Sequence, residues 1–312
     1  MDSFAQDVDA GLSASPKHLS SKYFYDDQGS RIFQQIMDMP EYYLTGCEHE
    51  ILSTQAGAIY EAAQFEGRFD IVELGAGDGA KTQELIGHLL DAGLDFTYLP
   101  IDISAGAMNQ LTQTLQTRFP KLDIRPQVGD YFKVLEDIVQ LDEPKLFLFL
   151  GANIGNYLPD AAVSLLRLLH SFMHAQDKLL IGFDLKKNPL TIAAAYNDPA
   201  GITRAFNLNL LDRINRELGG DIDRQQFAFY SYYNPINGEV RSFLISLIKQ
   251  AVRIKATGKT YAFEEGEWIY TELSRKYSLE EIAALAEQSG FRVAHNFCDA
   301  RRYFTDSLWR TG

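Results

Sequence analysis

The apolar run Phe69–Val72 leads into Glu73-Leu74-Gly75-Ala76-Gly77-Asp78-Gly79-Ala80-Lys81-Thr82, and a helical pattern, Gln83–Leu90, follows at once. A strand, a turn with glycine at alternate positions and a helix make a nucleotide-binding βα junction. The glycines permit a tight turn and bring bare backbone up to a ligand, while the start of the helix offers unpaired N–H groups. A second apolar run, Phe96–Ile101, ends at Asp102, 27 positions after Gly75. A carboxylate for a ribose belongs there.

Three kinds of nucleotide site compete for such a loop. A phosphate-binding loop needs Gly-Lys-Thr in succession, and Ala80 separates Gly79 from Lys81. A dinucleotide fold wants a third glycine three positions after Gly77, where Ala80 would have to stand in. The Glu-x-Gly-x-Gly-x-Gly arrangement instead resembles the first motif of class I S-adenosylmethionine (SAM) methyltransferases. Their ligand carries no pyrophosphate, so less backbone is cleared for it. SAM is the first expectation, a dinucleotide the second, and a glycine-rich turn without a ligand the third.

The rhythm around this junction sets the fold class. Strand Phe69–Leu74 and a helix from about Lys81 are followed by strand Thr97–Ile103 and helix Ala105–Arg118. Then come strand Leu122–Val128, helix Phe132–Gln140, strand Lys145–Leu150, helix Ala161–His174 and strand Lys178–Asp184. Such alternation predicts a parallel sheet with helices on both faces. It resumes at the end with helix Leu279–Gln288, where Ser278 and Glu281 have capping-box spacing, and with strands Phe291–Phe297 and Tyr303–Trp309.

Residues 187–275 are too many for a loop. They read as helix Ala200–Leu218, strand Phe227–Tyr233, a hairpin turn at Asn237-Gly238, strand Glu239–Ile254 and strand Trp268–Tyr277. The expected class is therefore α/β: a Rossmann-like, seven-stranded, mostly parallel class I methyltransferase sheet with an inserted α+β substrate-binding domain. Residues 48–186 and 276–312 would form the SAM-binding core. Residues 1–47 and 187–275 would form the substrate-binding lid, with the active site expected outside the carboxyl ends of the strands, between lid and sheet.

Composition narrows the partners. A formal net charge of −13 opposes nucleic acid, whose binding rests on neutralised phosphates, and equally opposes an anionic membrane surface. Only Cys47 and Cys298 are present, too few for a disulfide framework. The acidic, polar segment Met1–Asp7 shows no signal peptide, and no apolar run reaches membrane-spanning length. A cytoplasmic monomer acting on a small molecule is expected. His170 and His174 have a zinc-compatible spacing, but no glutamate follows His170 and no further ligands lie nearby, so no metal is expected.

A set of motifs recurs in order: Lys22-Tyr23-Phe24-Tyr25-Asp26, Pro40-Glu41-Tyr42-Tyr43, the loop at Glu73, Phe149-Leu150-Gly151-x-x-Ile154-Gly155-Asn156 and Asp184-Leu185. Ala195-Tyr196-Asn197-Asp198, Phe206-Asn207 and Thr271-Glu272-Leu273-Ser274 complete it. Together they resemble the histidine Nα-methyltransferases of ergothioneine biosynthesis, which convert histidine to its trimethylated betaine, hercynine. The resemblance runs from about residue 11 to the C-terminus.

The resemblance implies roles for individual residues. Gly151, Asn156 and Tyr196 would bind the amino acid, and Glu272 with Ser274 its imidazole. Two residues apart in a strand, Glu272 and Ser274 share a face at roughly 6.6 Å along it, a separation suited to the two ring nitrogens of an imidazole. Tyr42 would stand near the reacting amine, orienting it or relaying its proton, and is the candidate catalytic residue. Its phenol is a poor base near neutral pH, which makes it a positioning group.

For the cofactor, the resemblance implies Tyr25, Gly75, Lys81, Asp102, Asp130 and Tyr131. Asp102 would take the ribose hydroxyls, Lys81 the methionine carboxylate and Asp130 the adenine amino group. Without the resemblance, Tyr196 reads as core, Asp130 as a turn residue and Glu272 as an ordinary surface charge. Two positions depart from the family pattern. Ala76-Gly77-Asp78-Gly79 replaces Ser-Gly-Thr-Ser, and Ser242 replaces a methionine beside the substrate side chain. The smaller Ser242 leaves room for water or a larger ring. Nα-methylation of another aromatic amino acid, such as tryptophan, is thus an alternative within the class. An NAD-dependent oxidoreductase and a non-catalytic SAM-binding regulator are alternatives outside it.

Overall fold

Predominantly apolar runs fold as strands covered on both faces, with any charged residue in them buried as well. Phe69–Leu74 and Lys145–Phe149 are accordingly buried at every position. The structure, a computed structural model, describes residues 3–312, apart from the side chains of Tyr131 and Phe132. The chain divides into two compact units: Leu44–Lys186 with Lys276–Gly312, and Met1–Tyr43 with Lys187–Arg275.

The first of these units is built on one sheet. Its order runs Phe291–Cys298, Phe304–Thr311, Lys178–Asp184, Lys145–Phe149, Phe69–Leu74, Phe96–Asp102 and, in a final position, the short pieces Asp123–Ile124 and Gln127–Val128. All neighbours are parallel except Phe304–Thr311, which runs against both of its partners. Seven positions of this kind make the Rossmann-like sheet of class I methyltransferases. The single strand expected over Leu122–Val128 is broken in two. Arg125 N–H donates to Tyr98 O at 2.9 Å, Pro126 has no N–H to offer, and pairing resumes at Gln127.

Helices cover the sheet: Tyr43–Thr54, Ala56–Ala63, Thr82–Asp91, Ala105–Arg118, Tyr131–Ile138, Pro159–Ser171 and Leu279–Gln288. One core packs Val72, Leu99, Phe147 and Leu179 with Leu135, Leu166 and Ile282. Each such side chain contributes about 1.5–3 kcal/mol on burial. The capping box at the last helix is formed as expected: Ser278 N–H donates to Glu281 Oε2 at 2.7 Å, and Glu281 N–H to Ser278 Oγ at 3.2 Å. Among the described residues no helix is long and apolar enough to cross a membrane.

The second unit holds a four-stranded sheet ordered Lys17–His18, Trp268–Arg275, Glu239–Ser246 and Phe227–Asn234. A separate hairpin joins Gln250–Ile254 to Lys259–Phe263. The long strand expected over Glu239–Ile254 is thus two strands, since the chain leaves the first sheet after Ser246. Leu247 N–H donates to Gln226 O, Ser246 Oγ to Ile248 O, and the turn at Gly258 (φ +70°) then closes the hairpin. Helices Ser3–Ser13, Asp27–Met37, Pro189–Tyr196 and Ile202–Leu218 belong to the same unit. Its core gathers Phe4, Val8, Phe24, Ile32, Phe206, Leu210, Leu244, Ile254 and Ile269.

Candidate active site

The glycine loop leaves strand Phe69–Leu74 by donating the N–H groups of Gly75 and Ala76 to Ile101 O, at 2.9 and 3.2 Å. Gly75, Gly77 and Gly79 all have left-handed φ, and a Cβ at Gly79 would overlap the Leu111 side chain. Only glycine allows that close approach. Asp102, at the end of the neighbouring strand, accepts from Gly77 N–H at 3.2 Å and from Ser104 N–H at 2.9 Å. Each carboxylate oxygen keeps a further lone pair for a hydroxyl.

Gly129 N–H donates to Asp102 O at 3.0 Å, which brings Asp130 beside that strand end, exposed and facing Lys133 N–H at 3.4 Å. The Tyr131 side chain lies outside the described residues. Across strand Phe69–Leu74, the strand Lys145–Phe149 leads to Gly151 and the short 3-10 helix Asn153–Asn156. Gly151 and Ala152 are both left-handed, at φ +78° and +56°. Asn156 is exposed at the helix end. Gly75, Lys81, Asp102, Asp130, Gly151 and Asn156 therefore share one edge of the sheet, where the strand order reverses and α/β folds bind ligands.

Buried acids lie beneath this edge. Glu48 accepts from Lys81 Nζ and from Gly151 N–H. Burial opposes a charge on Lys81, but the Glu48 carboxylate outweighs it and holds the lysine above its ordinary pKa. Glu73 accepts from the Tyr98 hydroxyl and from Thr82 Oγ1, the latter at 2.7 Å. Burial still pushes its pKa up to about 7, against the lowering by those two bonds.

The other unit assembles a second group of predicted residues. Alternation along Glu239–Ser246 turns Val240, Ser242 and Leu244 to the buried face. Glu272 stands directly across from Ser242 and Ser274 across from Val240, so both share that face. Ser231 stands on the far side of Ser242 and donates to Tyr196 O at 2.9 Å. The Tyr196 and Ser274 hydroxyls are hydrogen-bonded at 2.8 Å. Tyr42 meets Tyr196 with ring centroids 6.2 Å apart and also packs edge-on against Phe33.

Tyr25 belongs to this second group. It packs on Phe33 and Phe206, and burial of its hydroxyl together with the Glu272 charge raises its pKa. The remaining cofactor candidates all lie in the other unit. Several motif residues are structural instead. Asp26 caps helix Asp27–Met37, accepting from Gly29 N–H at 2.7 Å. Asp198 accepts from Ile202 N–H and Thr203 N–H, both at 2.8 Å, at the start of Ile202–Leu218. Thr271 donates to the buried Asn207.

His170 packs edge-on against Phe291, and the His174 ring contacts Val139 O. No group of three or more possible metal ligands occurs among the described residues. Sequence reasoning missed Glu48 and Ser231. One signal for Glu48 was available: with Leu44, Cys47, Ile51 and Leu52 it falls on the apolar side of its helix.

A doubly wound sheet with a glycine loop, an acid ending the second strand and another acid one strand further out defines a class I SAM-dependent methyltransferase. Its residues fit SAM: bare backbone at Gly75, a lysine at a helix start for a carboxylate, and spare acceptors on Asp102. The model of the family "histidine-specific methyltransferase, SAM-dependent" matches residues 4–311. The chain belongs to that family. It is 36% identical over 303 residues to a histidine N-alpha-methyltransferase of Mycolicibacterium smegmatis, covering 97% of this chain and 93% of that one. A histidine N-alpha-methyltransferase of Mycobacterium tuberculosis is 34% identical with the same coverage. Ergothioneine biosynthesis protein 1 of Schizosaccharomyces pombe is 28% identical over 89% of this chain, which spans 37% of that longer protein.

Proposed function

We infer that this enzyme methylates the α-amine of L-histidine in three successive transfers and releases hercynine. One observation carries the choice of substrate. Glu272 and Ser274 stand two residues apart on one face of a sheet, with Ser274 already bonded to Tyr196. A carboxylate accepts from one imidazole N–H, and a hydroxyl serves the other ring nitrogen.

SAM, when bound, supplies an electrophilic methyl group and takes up the electron pair of the broken C–S bond. Everything else falls to the side chains, since in-line displacement needs little beyond orientation. Asn156, Gly151 and Tyr196 hold the amino acid, while Asp102, Asp130, Gly75 and Lys81 hold the cofactor. Tyr42 and Tyr25 face the amine and orient it. Tyr25 serves the amino acid in this reading, because its neighbours are Glu272 and Tyr196. Trimethylation requires the amine to turn between transfers, and phenol hydroxyls, which both donate and accept, tolerate each stage.

The substrate is a free amino acid, and the enzyme works as a monomer in a reducing cytoplasm, consistent with its two free cysteines. The test is incubation with SAM and an equimolar mixture of amino acids, followed by mass spectrometry. Trimethylated histidine is expected as the dominant product. Methylated tryptophan in its place would reassign the pocket, and no methylated amino acid at all would refute the reading.

A further inference from the structure

Glu48 sits on helix Tyr43–Thr54, is 1% exposed, and serves two loops at once. Its Oε1 accepts from Gly151 N–H at 2.7 Å, and its Oε2 accepts from Lys81 Nζ. The two loops converge on it, since a Cβ built at Gly151 would lie 3.6 Å from Lys81 Nζ. Space for the carboxylate comes from Gly182, inside the buried strand Lys178–Asp184. A Cβ there would overlap Glu48 Oε1 and approach the Phe304 ring to 3.0 Å. Glycine weakens a strand interior and marks a close approach by another group.

A second acid adjoins this one. Asp306 is fully buried, and burial together with the nearby Glu48 charge raises its pKa well above the usual carboxylate range. Asp306 is thereby held neutral, while the Glu48 carboxylate faces the Lys81 ammonium. An unpaired carboxylate at this depth would be strongly destabilising, so the two donors account for its charge.

We propose that Glu48 is a positioning residue for methyl transfer, its carboxylate fixing Lys81 on the cofactor loop and Gly151 on the amino-acid loop at the same time. The proposal rests on the roles given above to Lys81 and Gly151. Lysine is a flexible side chain whose ordering costs rotamer freedom, and Glu48 removes that freedom before any ligand arrives. The ammonium has three donors, so contact with Glu48 leaves others for the carboxylate of SAM. At Gly151, the bond to Glu48 anchors the start of a left-handed pair of residues, the second of which, Ala152, carries a Cβ that disfavours that region.

The test is Glu48→Gln, which keeps the shape but must turn its amide NH2 toward either Lys81 or Gly151 N–H. SAM dissociation constants from calorimetry should rise about tenfold. KM for histidine should rise with them, and kcat should fall by much less. Combined with Lys81→Met, Glu48→Gln should add no further loss of SAM affinity, because it acts through the lysine. A merely structural role would give additive losses, and that result would overturn the proposal. Glu48→Asp keeps the buried charge and guards against misfolding. It is too short to reach both donors, so SAM affinity and histidine KM unchanged from wild type in that variant would also overturn it. Wild-type protein that binds no SAM would refute the reading of Lys81 itself, a failure distinct from a tight-binding wild type with silent Glu48 variants.

Discussion

The hydroxyls of Tyr196 and Ser274 lie 2.8 Å apart, both side chains buried, with Glu272 two residues away on the same sheet face. The bond joins the end of helix Pro189–Tyr196 to strand Trp268–Arg275, and Ser231 holds the tyrosine backbone from the adjacent strand. Tyr196→Phe removes one partner of a neutral hydrogen bond, worth roughly 1 kcal/mol. KM for histidine should rise about fivefold, with kcat changed less. Steady-state kinetics measure both. A variant with wild-type KM would take Tyr196 out of the substrate group.

Glu272 is the charged member of that group, and its loss should cost more. A hydrogen bond to a charged group contributes about 1.5–3 kcal/mol, which is roughly 10- to 150-fold in kcat/KM. Glu272→Ala should lower histidine turnover within that range while leaving SAM affinity at its wild-type value. Ser242, directly across from Glu272, should modulate ring size: Ser242→Met should narrow the range of aromatic amino acids accepted. Competition between histidine and tryptophan in one reaction measures this. Equal turnover of the two by both proteins would disprove it.

Much of this was legible because local chemistry and tertiary structure agree. The bounds of Lys178–Asp184, Ala105–Arg118 and the capped helix at Ser278 follow from apolar runs and caps that need no distant partner. Misreadings arose where a local pattern continued but its partner did not. Leu122–Val128 reads as one strand until Pro126 withholds its N–H, and Glu239–Ile254 reads as one strand although two different sheets claim its halves. Strand Lys259–Phe263 went unread because, among the described residues, its strand partner is the second of those halves. The family resemblance groups Tyr25 with the cofactor residues, and no periodicity reveals that the Glu272 charge acts on its hydroxyl. Glu48 looks like any helical glutamate unless its apolar neighbours are counted.

Asp184 and Lys276 form an ion pair of 2.7 Å in which neither side chain is exposed. Removing one partner takes the 2.7 Å counter-ion from a fully buried charge, and breaking a buried pair in this way typically costs about 3–5 kcal/mol. Asp184→Ala should therefore destabilise the protein by that amount in urea titrations. Replacing both residues with apolar side chains of similar size, Asp184→Leu with Lys276→Met, should recover much of the loss. A double variant no more stable than Asp184→Ala would show that the pair does more than neutralise itself.

Glu73 makes a prediction about pH. Burial lifts its pKa from an ordinary 4.5 to about 7, so the folded chain holds this proton over a range in which the unfolded chain releases it. A group that binds protons more tightly when folded loses its stabilising contribution as pH rises. The contribution is complete below about pH 4.5 and gone above about pH 7. At 1.36 kcal/mol per pKa unit, the swing is on the order of 3 kcal/mol. Glu73→Gln keeps an acceptor for Tyr98 or Thr82 but cannot titrate, so its unfolding free energy should fall less between pH 4.5 and 7 than that of the wild type. Asp306, raised in the same direction, is present in both proteins and leaves the difference between them to Glu73. Denaturant titrations at four or more pH values across that window measure the two slopes, and parallel curves would mean that Glu73 is ionised throughout.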